Sequence, residues 1–140
     1  MKIISPIHGT IIYEADEIIN FEKGVPGFKN LTKFVIKEVG EDDPFSILQS
    51  IEDKEIGFIV ISPFLVNDKY EINLSEEITK NLQISSSNEV LLYSIVTLNS
   101  NTKEITANLK APIVININLK QGEQYIIDKD KYKIKEKIFS

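Results

Sequence analysis

The sequence predicts a mostly β fold: a compact antiparallel β-barrel or bent sandwich, with one short helix at about residues 75–84. Two observations carry this. Short runs of β-branched and aromatic residues recur between turn signals, at the spacing of barrels and sandwiches. Only one stretch reads as helix, and no long apolar pattern with helical period is present.

Ile11-Ile12-Tyr13 is the first clear run. Ile18-Ile19-Asn20-Phe21 follows and stops at Lys23-Gly24-Val25-Pro26-Gly27. Phe34-Val35-Ile36 leads into the polar turn Gly40-Glu41-Asp42-Asp43-Pro44. The runs Phe45 to Ile51 and Ile56 to Ile61, joined by Glu52-Asp53-Lys54-Glu55, read as a hairpin. Pro63 ends that strand because proline cannot donate to a central ladder. Ser75 suits a helix N-cap, Glu76 and Glu77 suit the positive end of the dipole, and Ile78 and Leu82 share one face. Val90 to Leu98 is almost continuously apolar and is expected to be the most buried strand. Ile105 to Asn118 holds two more strands broken at Ala111-Pro112, and Gln124 to Ile127 reads as the last. Beyond it Lys129, Lys131, Lys133, Lys135 and Lys137 occupy every second position. If extended, they share one face, either as an edge guarded against aggregation or as a docking arm for an acidic partner.

A length of 140 residues predicts one domain, residues 1–140. Cysteine is absent, which excludes disulfides, thiolate nucleophiles and zinc-thiolate centres. His8 stands alone, so neither a histidine metal cluster nor a serine–histidine triad is expected. Asp42-Asp43, Glu52-Asp53 and Glu76-Glu77 read as solvated turn charges, and no phosphate loop, calcium loop or nucleophile elbow is present. No enzyme, cofactor or metal is expected. All sixteen basic residues are lysine, so no guanidinium fork is available to read phosphate or guanine. The net charge of −5 also disfavours nucleic acid. No apolar run is long enough to span a bilayer and no signal-peptide core follows Lys2, so a cytoplasmic chain is expected.

Three stretches stand out. Phe21-Glu22-Lys23-Gly24-Val25-Pro26-Gly27-Phe28 combines two aromatic anchors with a proline–glycine corner, in which Gly27 can supply the positive φ of a type II turn. Phe58 to Phe64 carries a strand out to Pro63 and then an aromatic. Ile105 to Asn116 sets Asn108 and Ala111 beside the Pro112 break, where unpaired edge groups could receive a partner segment.

In this order and spacing, with F-S-I-L-Q-S-I-E-D between them and Gly122-Glu123-Gln124 after them, these stretches resemble the flagellar assembly factor FliW family over nearly the whole chain. The resemblance implies a non-enzymatic partner switch. FliW-like proteins bind the RNA-binding repressor CsrA and relieve its silencing of flagellin messenger RNA. They also bind flagellin, so unexported flagellin leaves CsrA free to repress. The expected partner surfaces are Pro63 and Phe64 with Asn108, Ala111 and Pro112, and Glu52 and Asp53 are acidic contacts. Phe21, Gly24, Pro26, Gly27 and Phe28 are expected to hold the shape. A flagellin chaperone with no translational role, a small β-barrel enzyme and a structural flagellar subunit are the alternatives.

Overall fold

The computed structural model describes residues 1–6, 8–128 and 130–139. Its short β-branched runs pair in near-sequence order. Strands β1 (Lys2–Ser5) and β2 (Gly9–Ile12) form a separate antiparallel hairpin. The main sheet contains β3 (Ile19–Asn20), β4 (Lys33–Glu38), β5 (Phe45–Ser50), β6 (Gly57–Ile61), β7 (Val90–Thr97), β8 (Thr106–Ala107), β9 (Ile113–Asn116), β10 (Gln121–Gln124) and β11 (Glu136–Lys137). Their order is β11-β8-β7-β6-β5-β4-β3-β10-β9, and β7 also pairs with β9. That extra pairing curls the sheet into a ring of seven strands, the barrel form of the two, barrel or bent sandwich, that the strand spacing leaves open. An odd number of strands cannot alternate direction all the way round. Among the described residues the one parallel contact is β3 against β10, a single aligned pair of Asn20 and Gln121.

The ring closes on Ile19, Phe21, Val25, Phe34, Leu48, Val60, Ile113 and Ile115. Phe21 and Phe34 meet edge to face at 5.5 Å. Gly122 makes room for them: a Cβ there would lie 2.5 Å from the Phe21 ring. At the proline–glycine corner Val25 and Phe28 exchange main-chain hydrogen bonds, and Gly27 takes φ +83°. Phe21 is fully buried, whereas Phe28 rests part-exposed against Phe58 at 6.1 Å.

Two short helices interrupt the strands. Helix α1 (Pro63–Val66) begins where β6 stops. Helix α2 (Glu76–Asn81) starts as the sequence predicts, with Ser75 Oγ accepting from the Ile78 N–H, but ends three residues early. Gln83 adopts φ +52° there, its N–H bonds the Lys80 carbonyl, and the Ile84 N–H bonds the Thr79 carbonyl, which is a Schellman closure. Ile78 and Leu82 are buried against Val114.

Four expectations need correcting. The hairpin strand β1 precedes the first run that the sequence marks. The most buried strand is β9, all four of whose residues are buried, because it lies between β7 and β10 with α2 packed on it. Residues 125–127 form no strand; the Tyr125 and Ile127 N–H groups instead bond the carbonyls of Pro112 and Lys110. The alternating lysines do not form one extended face. Tyr132 turns inward, the Leu109 N–H bonds the Lys133 carbonyl, and only Glu136 and Lys137 pair with β8. Lys131 lies 3.8 Å from Glu71 and Lys137 lies 3.6 Å from Glu104. Lys129 falls outside the described residues.

Candidate partner-binding groove

An apolar surface groove follows from where β6 ends. After Ile61 the chain leaves the sheet at Ser62 and enters α1, while β7 continues alongside. The space left between them is a groove of about 550 Å³, lined by Ser62 and Phe64, by Ile72-Asn73-Leu74, by Ile84 and Ser87, and by Val90 to Tyr93. None of these side chains is charged. Phe64 is 49% exposed and Leu91 is 45% exposed, so apolar surface faces solvent here.

Aromatic rings hold the α1 wall. Phe64 packs edge to face on Tyr70 at 5.7 Å, and Tyr70 stacks at a tilt on Tyr132 at 4.5 Å. The Tyr70 hydroxyl donates to the Leu109 carbonyl at 2.8 Å, and the Tyr132 hydroxyl accepts from the Glu71 N–H at 2.8 Å. Burial, and then the neighbouring Tyr132, push the Tyr70 hydroxyl far above its ordinary pKa. At the far end of the groove burial raises Tyr93 as well, with the Glu38 charge adding to it. Both phenols stay neutral and act as packing groups.

The residues singled out in the sequence do not gather at this place. Of them only Phe64 lines the groove. Pro63 is buried at the first position of α1 and offers no side chain to a partner. Asn108 works within the chain: its Oδ1 accepts from the N–H groups of Lys110 and Ala111 at 3.1 and 2.9 Å. Ala111 and Pro112 are buried, and their carbonyls accept from Gln124 Nε2 and the Tyr125 N–H. The broken ladder is therefore filled by this chain's own residues 124–127 and is not open to a partner.

Glu52 and Asp53 lie in the turn between β5 and β6, at the opposite end of β6 from Pro63. Glu52 Oε1 accepts from the Thr32 and Lys33 N–H groups at 2.7 and 2.9 Å, and these bonds hold its carboxyl below the usual range. Asp53 Oδ1 accepts from the Glu55 N–H at 3.0 Å. Buried Gln49 donates to the carbonyls of Ser50, Lys54 and Ile56 and fixes the same turn from inside. Glu52 is thus a strut as well as a surface charge. The groove walls at Ile72, Leu74 and Ile84 escaped the sequence reading. Ile72-Asn73-Leu74 is an apolar pair outside any strand, and that was the signal available.

Among the described residues no three acidic or histidine side chains gather as a metal site, and no helix is long and apolar enough to cross a membrane. Fold and groove together define a small closed-sheet β protein with an apolar groove that no charged side chain lines. The chain belongs to the FliW family: the family model described as FliW protein matches residues 2–138. It is 50% identical over 139 residues to the flagellar assembly factor FliW of Clostridium tetani (strain Massachusetts / E88), covering 99% of this chain and 96% of that one. The FliW of Clostridium botulinum (strain Okra / Type B1) is 49% identical, with coverages of 99% and 97%. A crystal structure of the flagellar assembly factor FliW superposes with a TM-score of 0.91 at 38% identity, covering 100% of this chain and 98% of that one.

Proposed function

We propose that this chain is a cytoplasmic flagellar assembly factor that works by exchanging protein partners, without chemistry. It binds and antagonises the translational repressor CsrA, and flagellin competes for it, so that flagellin synthesis follows export. The observation that carries this reading is the uncharged apolar groove set in an acidic body. Residues 1–128 hold eleven lysines against nineteen acids. An RNA-binding repressor is basic, so this body attracts it and, once bound, repels phosphates. The groove supplies apolar area for a partner segment. The relatives, named flagellar assembly factors, support the flagellar setting.

The test mixes purified chain with purified CsrA and with purified flagellin. Each is expected to bind at about micromolar concentration, and flagellin is expected to lower the apparent affinity for CsrA, with the reciprocal effect of equal size. Failure of both to bind overturns the reading. Binding of flagellin alone reduces it to a chaperone role.

A further inference from the structure

The register that sets Val60 against Ile95 and Ile61 against Ser94 would bring Ser62 opposite Tyr93 and then Pro63 opposite Leu92. The pairing stops short of it. Pro63 has no N–H to give, and α1 begins there because a first helical position tolerates proline. The segment Val90 to Tyr93 of β7 therefore pairs with β9 on one side alone.

Hydrogen bonding alternates along an antiparallel strand. The Ile117 N–H bonds the Glu89 carbonyl and the Asn108 N–H bonds the Ile95 carbonyl, which assigns the odd-numbered main-chain groups to the β8–β9 side. Val90 and Leu92 turn theirs the other way. The Val90 N–H closes onto the Ser87 carbonyl. The Leu92 N–H and C=O have no partner among the described residues. Four consecutive residues line the groove here, as they do at a strand's edge; a strand's face would present alternate ones.

We propose that this free edge of β7 receives an extended segment of a partner protein as an added strand, apolar at alternate positions and neutral or basic in charge. The proposal rests on the partner-binding reading and specifies its mode. An added strand satisfies Leu92, whereas a docked helix keeps its own main-chain groups paired internally and buries Leu92 unsatisfied. The free edge accommodates four residues, about 13 Å of strand. Phe64, Leu74 and Ile84 supply apolar surface for alternate side chains. Charge selects the sequence of the segment. Residues 62–93 carry five acids, Asp68, Glu71, Glu76, Glu77 and Glu89, against Lys69 and Lys80, and the Glu38 charge acts on Tyr93 at one end. An acidic strand is repelled.

Amide hydrogen exchange on the full chain, read by NMR, tests this. In the free protein the Leu92 amide is expected to exchange at least about tenfold faster than those of Leu91 and Tyr93. The probe is a synthetic peptide of alternating valine and threonine with lysines at both ends. It is expected to slow Leu92 exchange at least about tenfold, and N-methylation of every core amide of the peptide to weaken binding by a similar factor. Glutamates in place of its lysines weaken it too. Absence of binding, binding indifferent to N-methylation, or an unprotected Leu92 in the complex overturns the proposal. The same measurement with CsrA and with flagellin separates the two readings. If both proteins bind while no ligand protects Leu92, strand addition is wrong and the partner switch stands. If neither protein binds while the peptide protects Leu92, the edge stands and the partner switch falls.

Discussion

Gly24 and Gly27 both have positive φ, +74° and +83°, yet their surroundings differ. A Cβ on Gly27 meets nothing within 4 Å, whereas one on Gly24 would lie 2.5 Å from the Phe28 carbonyl oxygen and 2.6 Å from Lys29 Cα. Gly27→Ala therefore incurs only the left-handed backbone penalty, about 1–2 kcal/mol. Gly24→Ala must also push main chain aside, and we expect a loss of more than about 3 kcal/mol. Urea unfolding of the two variants checks this, and equal losses would refute the packing argument. The corner is legible in the sequence because proline followed by glycine encodes a local turn. Gly122 is not, because its constraint is the ring of Phe21, which approaches only after folding. Asn108 shows the same limit in reverse. A small amide beside a proline break suggests a docking place, but the donors that reach its oxygen belong to its own turn.

Among the elements, α2 and the β5–β6 hairpin follow from local rules, a serine cap with acidic first turn and a polar link between β-branched runs. The C-terminal segment does not. Its lysines keep a period of two, but charge alternation exerts no pull on the backbone once Tyr132 can bury itself. That ring supports Tyr70, which supports Phe64 at the groove. We expect Tyr132→Ala to cost about 3–5 kcal/mol and to loosen binding in the groove. Tyr132→Phe removes only the acceptor of the Glu71 N–H and costs about 0.5–1.5 kcal/mol. Thermal melts with partner titrations check both; a Tyr132→Ala variant as stable as the parent would show that the segment does not pack. The groove was half legible in the sequence: Pro63 announces where β6 stops, but no residue type announces that β7 runs on alongside the gap.

For the molecule as a whole, charge was readable and closure was not. Lysines at positions 129–137 and acids elsewhere set an uneven field that any fold of this chain would carry. Lys131 and Lys137 lie beside Glu71 and Glu104, so part of the tail's charge is neutralised by the body. If this field steers CsrA, raising salt from about 50 to about 500 mM should slow association on the order of tenfold, with a smaller change in dissociation. Stopped-flow rates decide the point, and a flat response removes steering. The ring, by contrast, depends on β7 meeting β9 and β3 meeting β10, contacts that no local motif announces.

The contact of β3 with β10 also bears on how the chain is made. Asn20 must wait for Gln121, a hundred residues later, before the last seam can form. At about 5–20 residues per second the ribosome needs some 5–20 seconds to deliver that partner. Throughout that interval the nascent chain carries Phe21 and Phe34 without their final cover, which makes the period of translation its most vulnerable to misassociation.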